Sequence, residues 1–343
     1  MTMTSSISVV SSQMQLMNVV ECIKSHNYRN NILIVVSATN KREADIKKLL
    51  RENDVYGIFF CGVFYFRFRE NLFVQLIQTV LYLIRVRMIT FQKCFHNVII
   101  GNYLLFTHRY VIKAITRNDC APNVYVVDDG MATIKIVRYR EKEKQEKCIS
   151  LFLPFYHRAV SIHFLFKRFF IQQLCFYTIY SIKNVSGDMV EKNEYEFLKN
   201  NYKRNIGESQ RIKEQIIFLG QPLCEHNVMS TKVLNEHMRK IQCMFPDCGC
   251  IAYYMHPAER KKKELQYESV IEYENKMNVE MLALSLPAKT KVLSFYSSSL
   301  ITIKRLRNDI DLYCVYEDSL VKNNAQLEDI YKMLVAEGVF MIK

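Results

Sequence analysis

Short β-branched runs alternate with stretches of helical period through most of this 343-residue chain. That alternation predicts an α/β fold in which helices cover parallel sheets. Two further observations sharpen the expectation. The alternation comes in two successive sets, and a polar stretch from Lys183 to Gln210, without a long apolar period, lies between them. The expected architecture is two Rossmann-like domains facing a central cleft, residues 1–195 and 196–343.

In chain order, Ile7 to Val10 reads as a strand. Gln13 to Lys24 reads as a helix carrying Met14, Leu16, Met17, Val20 and Ile23 on one side, and Asn31 to Val36 as the next strand. Ala38 to Asn53 follows as a helix. Gly57 to Phe64, Asn97 to Asn102 and Asn123 to Val127 are further strands, with helices at Asn71 to Met88 and Thr107 to Arg117 between them. Arg138 to Lys147 alternates in charge and suits a solvated face. Leu151 to Tyr180 is aromatic and apolar, which suits a helix. The second set has strands at Gln215 to Leu219, Cys250 to Met255, Ser269 to Glu272, Lys291 to Tyr296 and Ile310 to Tyr316. Its helices are Ser230 to Phe245, Asn278 to Leu286 and Ser299 to Leu306.

Composition excludes other classes. With 50% hydrophobic residues, 24% charged residues, 21 Phe, 21 Tyr and only 9 Gly and 6 Pro, the chain is neither disordered nor collagen-like. The balance of 47 Lys+Arg against 34 Asp+Glu leaves a net charge of +13. From Phe66 to Arg117 the cations Arg67, Arg69, Arg85, Arg87, Lys93, Arg109, Lys113 and Arg117 face Glu70 alone, a composition that suits an anionic surface. Eleven irregularly spaced cysteines do not form a secreted disulfide framework, and a reducing cytosol is the simpler expectation. The opening residues lack the basic region and apolar core of a secretory signal. The longest uncharged stretches, Asn71 to Ile84 and Phe169 to Ile182, are shorter than the roughly 20 residues that a spanning helix needs.

Neither half has a Gly-rich dinucleotide or P-loop signature. In open parallel sheets ligands bind at the carboxyl ends of strands, so the residues after each strand hold the chemistry. Val126-Val127-Asp128-Asp129-Gly130 ends a strand in two carboxylates. One of them can take a proton from a hydroxyl, although Asp and Gly also make ordinary tight turns. Gly220, Gln221, Pro222 and Glu225 follow the first strand of the second set. Gly220 admits close backbone approach and Glu225 supplies a carboxylate, or the segment is a plain connecting loop. His256 ends another strand, held extended by Pro257 and followed by Arg260, Lys261, Lys262 and Lys263, a setting that suits a phosphate or a solvated helix start. Ser297, Ser298 and Ser299 stand between a strand and a helix, as an anion site or as a helix cap. Cys243, Cys248 and Cys250 do not match the usual zinc pairs, and buried thiols fit them better.

The order Asp-Asp-Gly, Gly-x-Pro, His-Pro and paired serines resembles the motif series of bacterial sialyltransferases. The closest likeness is to glycosyltransferase family 52, the lipooligosaccharide sialyltransferases, with related motifs in polysialyltransferases. The Val9 to Leu16 and Val270-Ile271-Glu272 runs also look like that family. The resemblance implies a GT-B architecture, with an acceptor-side domain in front and a nucleotide-sugar-binding domain behind. It further implies inverting transfer of sialic acid from CMP-sialic acid to a glycan of a lipooligosaccharide or capsule-type polysaccharide. Asp129, with Asp128 beside it, would be the base. His256 would hydrogen-bond or protonate the CMP phosphate, Ser297, Ser298 and the following helix would hold its other oxygens, Glu272 would bond ribose hydroxyls, and Gly220 would let the nucleotide lie against the backbone. A monophosphate leaving group makes no metal or other cofactor necessary.

Two departures from the family qualify the transfer of roles. Leu223 stands where some relatives place an acidic base after Gly-x-Pro, which makes Glu225 the rival to Asp129. Ala258 stands where relatives often have Arg after His-Pro, so Arg260 or Lys261 would supply the cation. Expected partners are the donor, a glycan or glycolipid acceptor and the inner membrane surface, touched through Phe64 to Arg69, Leu81 to Met88 and Phe164 to Phe170. The expected location is cytoplasmic and peripheral on that membrane, a homodimer is consistent with relatives, and no nucleic acid is expected. The alternatives are a GT-B enzyme using a UDP-hexose and, in another class, a non-catalytic basic protein that binds nucleic acid or membrane.

Overall fold

The structure is a computed structural model that describes residues 5–52, 60–68, 71–91, 93–116, 121–130, 132–146, 171, 173–182, 187–205, 216–256, 258–259, 270–273, 279–324 and 326–343. The chain forms two compact units, Met1–Asn201 and Tyr202–Lys343.

The first unit runs β1 Ser6–Val10, α1 Gln13–Ser25, β2 Asn31–Ser37, α2 Asn40–Glu52, β3 Phe60–Arg67, α3 Leu72–Thr90, β4 Asn97–Ile100 and α4 Phe106–Thr116. It continues with β5 Asn123–Val127, α5 Ala132–Glu146, β6 Cys175–Thr178, β7 Met189–Lys192 and α6 Glu196–Asn205. Its seven strands are all parallel, in the order β3-β2-β1-β4-β5-β6-β7. Helices cover both faces of the sheet, so β1, β2 and β4 are buried at every position, the polar Ser6, Ser8, Asn31, Ser37 and Asn97 included. Alternate residues Ile7, Val9, Ile34, Val36, Val98 and Ile100 pack with Tyr82 and Val86 of α3 and Val111, Ile112 and Ile115 of α4. Each such aliphatic side chain contributes roughly 1.5–3 kcal/mol when fully buried. Ser12 caps α1 by accepting the Gln15 N–H, and Asn71 caps α3 by accepting those of Phe73 and Val74.

The second unit contains β8 Ile216–Leu219, α7 Thr231–Met244, β9 Ile251–Tyr254, β10 Val270–Tyr273, α8 Val279–Ser285, β11 Lys291–Ser294, α9 Ser299–Leu306 and β12 Asp311–Val315. α10 Asp318–Asn323, α11 Gln326–Ala336 and β13 Phe340–Ile342 complete it. Its six strands are also parallel, in the order β10-β9-β8-β11-β12-β13. Both sheets therefore reverse strand order once, between β1 and β4 in the first unit and between β8 and β11 in the second. That is the doubly wound pattern of a Rossmann-like domain, repeated.

Three expectations need correction. The stretch before residue 210 contributes β7 and α6: β7 adds to β6 through backbone pairing, which needs no apolar period, and Tyr195 and Leu198 are buried. The expected boundary at 195/196 lies at the start of α6, close to the division between the units at 201/202. Residues 175–178 form a strand rather than a helix, since a four-residue apolar run carries no helical signal of its own; residues 151–170 lie outside the described residues. Finally, Arg140 in the charge-alternating stretch is fully buried. Its guanidinium forms a two-pronged pair with Asp188 (2.9 and 3.2 Å), donates to the Ile171 carbonyl and reaches the Tyr103 hydroxyl.

Candidate functional site

The rim of the first sheet gathers the residues that leave β1, β4 and β5. Asp128 is fully buried and accepts hydrogen bonds from the Thr178 hydroxyl (2.6 Å) and the Ile179 N–H (2.7 Å), while its carbonyl accepts the Asn18 amide (3.1 Å). It ties the end of β5 to the end of β6. Burial pushes its carboxyl up to about 6, against the pull of the bonds from Thr178 and Ile179. Asp129 is half-buried, and its carboxylate accepts the Asn102 side-chain amide at 2.8 Å. Burial raises its proton affinity above the ordinary carboxylate value, and donors from Gln15 and Asn102, together with the Arg42 charge, temper the rise. Gly130 has φ 59°, the left-handed conformation that favours glycine. The tripeptide therefore makes a turn and also presents one carboxylate.

Five residues around Asp129 were absent from the sequence reading of the site. Ser11 donates its N–H to the Gln15 side-chain oxygen (2.7 Å), and a Cβ on Gly101 would overlap that same amide. The Asn102 N–H donates to His108 Nδ1 (3.2 Å), so the neutral ring carries its proton on Nε2 and donates it to Ser11 Oγ (2.9 Å). Complete burial lowers the His108 value to about 3, and the ring stays neutral. Ser11 and Asn102 follow β1 and β4, the two strands that flank the reversal of strand order. Only knowledge of that order brings them together.

The rim of the second sheet is built from the ends of β8, β9 and β11. Gly220 donates its N–H to the Tyr254 carbonyl (2.8 Å). A Cβ on Gly220 would lie 2.5 Å from a Glu259 carboxylate oxygen and 2.8 Å from the Tyr253 hydroxyl, so the close approach there is made by protein side chains. Glu259, also absent from the sequence reading, accepts the Tyr253 hydroxyl (2.9 Å) and the His256 N–H. The Gln221 side-chain oxygen accepts the Tyr296 N–H (3.2 Å) and stitches the loop after β8 to the one after β11. The Pro222 carbonyl accepts the His226 N–H (3.1 Å), closing the turn that carries Glu225.

His256 is exposed, and its Nδ1 accepts the Ala258 N–H (3.1 Å), so its neutral ring keeps a proton on Nε2. Partial withdrawal from water lowers its proton affinity; the negative charge of Glu225 raises it and His226 lowers it further. Glu225 thus acts electrostatically on His256. Ser297 Oγ accepts the Ser299 N–H (3.2 Å), whereas Ser298, at the N-cap of α9, makes no side-chain capping bond. Ser297 serves the helix and Ser298 keeps its hydroxyl for other use. Glu272 pairs through its backbone with Tyr253 in β10 and β9, but its side chain lies outside the described residues, as do Pro257 and Arg260 to Lys263. Among the described residues no three His, Cys, Asp or Glu side chains form a metal-holding group, and Cys243 is exposed while Cys248 is buried. Among the described residues eight cysteines are free thiols, whereas Cys94 is disulfide-bonded, which departs from the all-reduced expectation.

Two successive all-parallel Rossmann-like units with polar clusters at their carboxyl rims define a GT-B-like protein. A crystal structure of UDP-N-acetylglucosamine 2-epimerase aligns with a TM-score of 0.55 at 10% identity, covering 95% of this chain and 82% of that one. A crystal structure of TcCGT1 in complex with UDP aligns with a TM-score of 0.50 at 11% identity, covering 96% and 89%. At such identity the likeness is one of fold. No curated protein matches by sequence. The alpha-2,8-polysialyltransferase (POLYST) family matches over residues 6–316, and the chain belongs to that family. Membership supports sialyltransferase activity in general, with a nucleotide-sugar donor and a glycan acceptor.

Proposed function

We propose that the protein transfers sialic acid from CMP-sialic acid, with inversion, to a glycan acceptor at the cytoplasmic face of a membrane. The family name favours a sialylated, capsule-type chain over a lipooligosaccharide core as acceptor. In the reaction the acceptor hydroxyl oxygen bonds to the anomeric carbon, the bond from that carbon to the phosphate oxygen breaks, and CMP departs with the electron pair. Asp129 takes the hydroxyl proton, a task suited to a carboxylate whose proton affinity burial has raised. His256 donates a hydrogen bond from Nε2 to the departing phosphate, and Ser298 with the N–H groups at the start of α9 accommodates its other oxygens. Glu225 acts on His256, a better fit to its electrostatic coupling than the role of base. Arg42, whose charge reaches Asp129, suits the carboxylate of a sialylated acceptor.

The observation that carries this proposal is chemical complementarity within one family member. The rim of one sheet holds a carboxylate primed to accept a proton, and the rim of the other holds an imidazole whose Nδ1 is already engaged. Incubation with labelled CMP-sialic acid and a panel of sialylated and galactose-terminated acceptors, read by mass, tests it. Asp129→Asn and His256→Ala should each lower turnover by roughly 10²–10⁴-fold, as loss of acid–base groups does. A UDP-hexose donor is the second reading, suggested by the UDP bound to the structural neighbour TcCGT1. Transfer from UDP-hexose but not from CMP-sialic acid would replace the first reading with the second.

A further inference from the structure

Helix α3 is amphipathic the wrong way round for a solvated surface helix. Its inward face carries Gln75, Thr79, Tyr82 and Val86, all buried, with the Tyr82 hydroxyl donating to the Thr107 carbonyl (2.5 Å). Its outward face carries Phe73, Ile77, Val80, Ile84 and Met88, and Phe91 just after the helix continues the row at the same three-to-four-residue spacing. Phe73 is 72% exposed, Met88 70% and Val80 55%. The stripe is about 27 Å long at 1.5 Å per residue. A contiguous exposed apolar strip of that length marks an interaction surface.

By length and composition Phe73–Thr90 could cross a bilayer, with a mean hydropathy of 1.3. Its inward face rules this out, because Tyr82 and Val86 belong to the core of the first sheet and spanning would strip them from it. The helix is therefore held parallel to the surface of its unit. Its surroundings are basic: Arg85 and Lys93 are exposed, and no Asp or Glu occurs from residue 71 to 118. A second copy seated on this face would bring two such cationic stretches together. Anionic headgroups complement the cations while the acyl boundary takes up the apolar stripe.

We propose that α3 is an in-plane anchor that lays Phe73, Ile77, Val80, Ile84, Met88 and Phe91 into the surface of an anionic bilayer. This sharpens the membrane-surface part of the proposed function and is independent of the donor. The chain contains no tryptophan, so Met88→Trp in the full-length protein gives a reporter confined to this face. Phosphatidylglycerol-containing vesicles should shift its emission to the blue, and brominated acyl chains should quench it; pure phosphatidylcholine vesicles should do so far less. Val80→Glu with Ile84→Glu should lower vesicle partitioning by about tenfold or more, with the melting transition and transfer to a water-soluble acceptor retained. An unshifted tryptophan with anionic vesicles, or unchanged partitioning of the double-glutamate protein, would overturn the proposal. So would a wild-type dimer that the two glutamates split, since the face would then be a self-interface. Loss of transfer with vesicle binding intact would count against the catalytic reading alone.

Discussion

Asp128 and Asp129 are neighbours in sequence with opposite fates. Asp128 spends both carboxylate oxygens on Thr178 and Ile179 and is closed to water. Asp129 accepts amide donors from Asn102 and Gln15, and both favour its charged form. Because the base works only when deprotonated, the acidic limb of kcat/KM follows Asp129. Asn102→Ala removes one donor to the carboxylate, raises its proton affinity and should move that limb to higher pH, with activity at neutral and alkaline pH affected less. A pH profile of the variant measures this. An unmoved limb would direct attention to Glu225. Both His108 and His256 accept a backbone N–H at Nδ1, and each is thereby fixed as the Nε2–H form. His108 spends that proton on Ser11, inside the fold.

At the level of elements, the ends of the first sheet are fastened by charge. Arg140 of α5 reaches Asp188 just before β7, and the same carboxylate accepts the Leu174 N–H ahead of β6. Removing one partner leaves the other charged and dry. Asp188→Ala should therefore destabilise the first unit by about 3–5 kcal/mol, whereas an apolar replacement of both partners should cost far less. Chemical denaturation of the single and double variants separates the two outcomes. Glu21 of α1 performs a related service by accepting the N–H groups of Phe197 and Leu198 at the start of α6, and burial raises its carboxyl to about 7. Central strands such as β1, β2, β8 and β11 are legible in the sequence because burial on both faces forces β-branched and aliphatic runs. β7 and β13 are not, because edge strands of three or four residues owe their existence to a neighbour's backbone.

Across the whole molecule the two sheets share one strand permutation, so each has its own reversal of order and its own polar rim. If the second unit binds the donor, CMP should raise the apparent stability of the full chain, by about 2.7 kcal/mol at a hundredfold excess over its Kd, and UDP should do so much less. Differential scanning calorimetry reads this directly, and an equal response to both nucleotides would weaken the choice of donor. Asp129 and His256 were candidates in the sequence because each lies two residues past the end of a strand. Ser11, Asn102, His108 and Glu259 were not, since their meetings depend on which strands become neighbours. The uniform strand direction also gives each sheet an amino-terminal edge opposite its polar rim. Gly249, between α7 and β9 on that edge, has nothing within 4 Å of where a side chain would begin. A short epitope or fluorophore inserted beside it should be carried without disturbing turnover, which makes it a handle for following the enzyme in a living cell.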